Sequence, residues 1–226
     1  LTLDSEVPSK VLESPNRIVS SFLRGFFDAE GYVNKRHSVG IASNNKTLIG
    51  QVQLLLLRFG ILSSFIEYDN KRNPYSSNPV FNLQVNERES IANYKSHIGF
   101  TSERKSLALR TLLDSKSNRS YVRQIVVPGS KIRKIIEDAG YNLELFPKVN
   151  SFFRNERMMS KFAFRKSILS HIKDQKLYRK LYEIYKYPIL PVQIMRIEKT
   201  NKKAKMVDIS VKNQNFIANG VLVHNS

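Results

Sequence analysis

Two short stretches of this sequence bring together side chains able to do chemistry. In the first, Asp28-Ala29-Glu30-Gly31 places two carboxylates directly after a run of apolar and small residues. Carboxylate oxygens hold hard divalent cations, and such a cation can stabilise charge on a phosphodiester and activate a water. In the second, His224-Asn225-Ser226 sets an imidazole, a carboxamide and a hydroxyl in consecutive positions. The Asn225 amide can attack its own backbone carbonyl, forming a succinimide and cutting the bond to Ser226. His224 can polarise that carbonyl or hand a proton to the leaving amine, and the Ser226 hydroxyl can accept an acyl group. Each motif alone is weak, because an acidic turn after a helix and a terminal His-Asn-Ser are both common. Their surroundings decide.

The elements that must position the first motif follow from pattern. Ser14-Pro15 reads as a helix start, with Ser14 capping free amides and Pro15 in the first turn. The helix is expected over 15–29, with Ile18, Phe22 and Phe26 as an apolar stripe and Gly25 and Ala29 on a face nearly free of bulk. Two short strands over 32–33 and 39–42 should follow, joined by Asn34-Lys35-Arg36-His37. A helix opened by Asn45 or Thr47 should stop at Gly60, and strands over 61–68 and 80–85 should flank a polar loop containing Lys71 and Arg72. Asn86 with Glu89 forms the pattern of a capping box for a helix to about His97, and another helix should follow Ser102.

The nonamer Leu23-Arg24-Gly25-Phe26-Phe27-Asp28-Ala29-Glu30-Gly31, with this order of elements, resembles the LAGLIDADG motif of homing endonucleases and their αββαββα saddle unit. Arg24 and the two phenylalanines depart from the literal motif. The resemblance implies an α/β (α+β) unit over 1–113 that binds double-stranded DNA and cleaves it with Mg²⁺. It implies Glu30 as the metal-binding catalytic carboxylate and Asp28 as its capping or supporting neighbour. Lys105 falls where relatives often carry a base that polarises the phosphate, although a surface lysine fits the same position. Asn34, Lys35, Arg36, His37, Lys71 and Arg72 become candidates for DNA contact at the ends of the saddle strands. A double-strand cut needs two active sites and one motif is visible, which implies a homodimer or a further copy upstream.

The stretch from Val207-Asp208 through Asn215-Phe216-Ile217-Ala218-Asn219-Gly220 to His224-Asn225-Ser226 resembles the last two conserved blocks of inteins. Asn219-Gly220 between apolar triplets is a hairpin signal, and strands over 192–197, 207–211 and 216–223 are expected in a small all-β C-terminal splicing (Hint) segment over 187–226. The resemblance assigns splicing roles to His224, Asn225 and Ser226, with Asp208 orienting the site. Gln214 departs from the pattern, since many relatives carry histidine there. No counterpart of the N-terminal splicing block is found after Leu1, so a separate N-terminal intein half is implied as a partner, together with the flanking host protein (extein).

Composition is consistent with this double reading. The 226 residues carry 37 Lys and Arg against 19 Asp and Glu, a net charge of +18, which favours a polyanionic partner. Residues 114–186 form a basic region expected to be helical: 161–186 holds eight Lys or Arg against Asp174 and Glu183, among aromatics at helical spacing. This region is a candidate DNA-backbone surface or simply a solvated helix face. The sequence has no cysteine, which removes disulfides, Cys-ligated zinc and Cys nucleophiles. The longest apolar run, 54–57, is too short to span a bilayer, so an intracellular, cytoplasmic protein without a membrane partner is expected. Two alternatives stand beside an active endonuclease with splicing chemistry: a splicing element whose endonuclease unit is an inactive scaffold, and a non-catalytic nucleic-acid-binding module.

Overall fold

A computed structural model of the chain describes residues 5–34, 37–69, 78–114, 123–146, 148–187, 189–190, 194, 197–199, 203, 205, 209–218 and 220–224. After a short helix α1 (Ser9–Leu12), helix α2 (Asn16–Glu30) forms the spine of the first unit. Its buried stripe is Val19, Leu23 and Phe27, all fully buried. The stripe expected from sequence, Ile18, Phe22 and Phe26, lies one residue round the helix, and Ile18 is 43% exposed. Both stripes are apolar with the same spacing, so helical periodicity cannot choose between them. Packing against the sheet does.

Strands β1 (Gly31–Asn34), β2 (Ser38–Ser43), β3 (Ser64–Tyr68) and β4 (Val80–Val85) make one antiparallel sheet in the order β1-β2-β4-β3. Phe81, Leu83 and Val85 alternate inward with Val39 and Ile41, leaving Asn82 and Gln84 on the opposite face. Between the strand pairs, α3 (Lys46–Leu57) starts at Asn45, whose side chain accepts the Leu48 amide at 2.9 Å, and ends before Gly60 at φ +65°. Helices α4 (Arg88–His97) and α5 (Glu103–Asp114) complete the αββαββα order.

Two expected caps are replaced. No side chain caps α2, which begins after Pro15, and the Ser14 hydroxyl instead donates to the Lys10 carbonyl at 2.6 Å. The Asn86–Glu89 box does not form either. Glu87 occupies the cap position of α4, and its carboxylate accepts from the buried Ser90 hydroxyl. A proline at the helix start already satisfies the backbone geometry without a side-chain acceptor.

Residues 120–199 form a second compact unit, and residues 200–226 group with the first. The second unit has its own core, in which Ile132, Ile136, Phe146, Phe152, Phe164 and Leu181 are buried. It contains α6 (Gly129–Asp138), α7 (Asn150–Phe153), α8 (Lys161–Ser167) and α9 (Gln175–Lys186). The basic 161–186 stretch is therefore two helices, separated where the Asp174 carboxylate accepts the Leu177 amide at 2.7 Å and starts α9.

Near the end of the chain, β5 (Asn215–Ala218) pairs antiparallel with β6 (Val221–His224). A Cβ on Gly220 would lie 3.1 Å from Leu54 and 3.3 Å from Leu57, so the hairpin turn rests on α3. The expected strands over 192–197 and 207–211 fall largely outside the described residues. Their described members Ile194, Ile197 and Ile209–Val211 are not in strands, and Ile194 and Ile197 are 74% and 82% exposed.

Candidate functional site

Three faces of α2 do three different things. The first, Val19-Leu23-Phe27, anchors the helix in the core. The second, Ser20, Arg24 and Asp28 at successive fourth positions, grips the connection from α4 to α5. The Ser20 hydroxyl donates to the His97 carbonyl, and Arg24 Nε donates to the Ile98 carbonyl at 2.6 Å. Asp28 accepts the backbone N–H of Thr101 at 2.8 Å and of Ser102 at 3.2 Å. The third face is left open. Ser21, Phe22, Gly25, Phe26, Ala29 and Glu30 line a shallow groove along it. The Phe22 and Phe26 rings stack with centroids 5.9 Å apart, and a Cβ added to Gly25 would meet nothing within 4 Å.

Asp28 and Glu30, two residues apart, therefore have different lives. Burial pushes the Asp28 carboxyl upward, but the amides of Thr101 and Ser102, aided by the nearby Lys105 ammonium, outweigh it and hold the group below the ordinary carboxylate range. Asp28 thus helps start α5 rather than capping its own helix. Because its folded pKa is depressed, the stabilisation is complete above the unfolded value near 3.9 and is lost as pH falls through the lower folded value. Asp28→Asn is expected to cost about 1 kcal/mol at pH 7, with the difference shrinking at acid pH, below the unfolded value near 3.9. Urea unfolding at the two pH values checks this, and an equal difference at both would contradict it.

Glu30 is the last residue of α2 and is exposed, with its side chain beside the open face. Among the described residues no three His, Asp or Glu side chains converge on one point. A hard cation wants about six oxygens, several of which can be water. Glu30 by itself could supply one carboxylate ligand to such a cation.

Lys105 stands elsewhere in this chemistry than a free base would. Its Nζ donates to the carbonyls of Phe27 at 3.0 Å and Asp28 at 2.6 Å, the last turn of α2, and lies 5.8 Å from the Phe100 ring centre. The Phe27 carbonyl also accepts the Gly31 amide at the helix end, and an ammonium is well suited to the negative end of the helix dipole. Lys105→Met is expected to lower stability by about 1–2 kcal/mol, since charge-assisted hydrogen bonds are lost. A loss of nuclease activity without any loss of stability would instead place Lys105 in the chemistry.

Of the residues expected to contact DNA, Asn34 ends β1 and His37 is exposed in the turn that follows it. Lys35, Arg36, Lys71 and Arg72 lie outside the described residues, as do Asp208, Asn225 and Ser226. The sheet adds three residues that sequence reading missed. The Tyr32 hydroxyl donates to Asn82 Oδ1 at 3.0 Å and accepts from Gln84 Nε2 at 3.2 Å. Tyr32 reaches across β2 because Gly40 lies beneath it, where an added Cβ would come within 2.5 Å of the phenol. Asn82 and Gln84 side chains suit base edges. The polar alternation at Asn82 and Gln84 was the available signal.

On the hairpin, His224 faces Asn215, with His224 Nδ1 3.1 Å from Asn215 Oδ1. Ile217, Val221 and Leu222 are 73%, 56% and 49% exposed, an unusually apolar surface for two strands.

Residues 17–99 match the model of a LAGLIDADG-like domain. The match supports a LAGLIDADG-like domain over these residues, which are fewer than half of the chain. The whole chain is 29% identical over 232 residues to a glutamine–fructose-6-phosphate aminotransferase [isomerizing] of Methanocaldococcus jannaschii, spanning 20% of that protein. It is 25% identical over 264 residues to a probable translation initiation factor IF-2 of Pyrococcus furiosus, with 98% of this chain and 25% of that protein aligned. Similarity to an elongation factor 2 of Methanopyrus kandleri is 23% over 219 residues, covering 94% of this chain and 16% of that one. The chain thus spans between a sixth and a quarter of these relatives' length. Among the described residues no helix is long and apolar enough to cross a membrane.

Proposed function

We propose that this chain is the downstream part of an intein: a LAGLIDADG endonuclease unit over 1–113, a basic helical region over 114–186 and a C-terminal splicing segment over 187–226. The observation that carries the nuclease reading is the open face of α2. A helix that buries one apolar stripe, leaves Gly25 and Ala29 exposed between the half-buried rings of Phe22 and Phe26, and ends at Glu30 is built to receive another helix. Pairing two such helices brings two Glu30-type carboxylates together.

Double-stranded DNA would lie on the polar sheet face, read by Tyr32, Asn82 and Gln84 and held at its edges by Asn34 to His37, Lys71 and Arg72. Mg²⁺, held by Glu30 and its counterpart, would supply charge neutralisation at the phosphate and an activated water. Asp28 and Lys105 hold the α2 terminus in place, the first through the Thr101 and Ser102 amides just before α5 and the second through α2 carbonyls. In the second unit, taken by itself, exposed Lys176, Arg179 and Lys180 on α9 offer a contact to phosphates. Their joint change to Gln is expected to flatten the salt dependence of DNA affinity by about two to three charges; an unchanged slope would remove the second unit from the interface.

The splicing reading is supported by the relatives. One segment of about this chain's length recurs in proteins named as an aminotransferase and as translation factors, names with nothing in common. An element inserted into unrelated host proteins accounts for that. The apolar surface of the hairpin at Ile217, Val221 and Leu222 suits a further β layer, supplied by an N-terminal intein half. In this reading Asn225 cyclises, His224 moves protons, Ser226 is the first extein residue and Asp208 orients the site, all inside the cell.

Extending the chain beyond Ser226 with a reporter domain tests the splicing half. Release of the reporter, leaving a C-terminal succinimide and abolished by Asn225→Ala, is expected. Release that persists in Asn225→Ala, or none from the native chain with or without an N-terminal intein half, would sink it.

A further inference from the structure

We propose that Asn215 is a positioning residue for the C-terminal junction, fixing which ring nitrogen of His224 carries the proton; this rests on the splicing reading above. The two residues face each other in the β5–β6 register, with His224 Nδ1 3.1 Å from Asn215 Oδ1. The direction of that bond follows from the far side of the amide. Asn215 Nδ2 donates to the backbone carbonyl of Asn213 at 2.9 Å. A carbonyl can only accept, so the amide nitrogen is committed to Asn213 and the amide oxygen is the atom that meets His224. That oxygen also only accepts. The proton between them therefore sits on His224 Nδ1, and neutral His224 keeps its lone pair on Nε2.

The backbone around Gln214 makes the arrangement possible. Gln214 is held at φ +56°, a region that non-glycine residues seldom take, and its amide donates to the Val211 carbonyl at 3.0 Å. This left-handed step immediately before β5 folds the Asn213 carbonyl back toward the Asn215 side chain. A strained residue beside a candidate site is a cue to function when geometry supports it. Here the position occupied by histidine in many inteins contributes a backbone bend instead.

The chemical consequence is specific. Cyclisation of Asn225 forms a bond from its side-chain nitrogen to its own carbonyl carbon and breaks the peptide bond to Ser226. The side-chain amide loses one proton and the departing Ser226 amine gains one, so no net proton is consumed. A base with its lone pair on Nε2 can accept the first and return the second. The opposite tautomer would turn its lone pair toward Asn215 and have none to offer. Asn215 thus stands behind the imidazole as acceptor groups stand behind other working histidines, setting tautomer and ring orientation.

The test uses the full chain labelled with ¹⁵N-histidine; the sequence has four histidines, and His224→Gln assigns the resonance. Neutral His224 is expected to carry its proton on Nδ1 in the native chain and in Asn215→Asp, which keeps the acceptor, and to move it to Nε2 in Asn215→Ala. In the reporter-extended chain, Asn215→Ala is expected to slow release about tenfold, while Asn215→Asp keeps most of the rate. Gln214→Gly, which tolerates the same φ, should preserve both readouts. A native His224 protonated on Nε2, or a tautomer indifferent to Asn215→Ala, overturns the proposal. If the tautomer responds as expected but the native chain with its N-terminal half releases no reporter, the splicing reading falls and the Asn215–His224 geometry stands.

Discussion

Glu30→Gln is expected to reduce Mg²⁺-dependent cleavage of duplex DNA by on the order of a thousandfold, equivalent to about 4 kcal/mol of transition-state stabilisation. The change keeps shape and hydrogen-bonding capacity and removes the Glu30 charge at the exposed end of α2. Since Glu30 contributes no core packing, the variant should unfold at the same denaturant concentration as the native chain. Retained DNA binding with lost cleavage would confine the effect to chemistry. The substrate can be a pool of randomised duplexes, scored separately for nicks and double-strand cuts. Equal cleavage by both proteins would show that Glu30 holds no catalytic cation. An absence of cleavage in both, together with metal-independent DNA binding, would favour the scaffold or binding-module reading.

Gly25→Leu should produce the second large effect, and in two directions. In the unpaired helix a leucine fits, because an added Cβ has open space, and replacing a mid-helix glycine is worth roughly 0.5–1 kcal/mol in helix propensity. The variant is therefore expected to be as stable as the native chain or more so. On the open face the same leucine holds a second helix away from close approach, so double-strand cutting should fall at least about a hundredfold, because a displacement of ~1 Å at a reacting centre has that effect. Sedimentation on DNA should show loss of the paired species. Full double-strand cutting by Gly25→Leu would mean that α2 does not pair through this face.

These two residues also show how unevenly the site could be read before folding. The nonamer draws attention to Glu30 and Gly25 because it presents residue types whose uses are narrow: a carboxylate after a helix and a glycine inside one. The strand pairs were legible too, since alternation in 80–85 and the Gly60 stop are local. Asn82 and Gln84 were passed over because polar residues on an alternating strand look alike whether they face solvent or a ligand. Tyr32, bridging them across Gly40, depends on a register between strands that no local pattern encodes.

What the sequence by itself determined is the set of elements and the chemical types at their ends: the αββαββα order, the carboxylate pair, the terminal His-Asn-Ser and a net charge of +18. Local propensities, periodicity and covalent neighbours suffice for those. Tertiary structure alone decided which apolar stripe of α2 became core, that Asp28 serves the start of α5 while Glu30 stays free of it, and that Lys105 closes the end of α2. It also decided that Asn215 meets His224. Each of these is a contact between residues distant in the chain or across strands, chosen by the packing of whole faces, and a face has no identity until its partner has been laid against it.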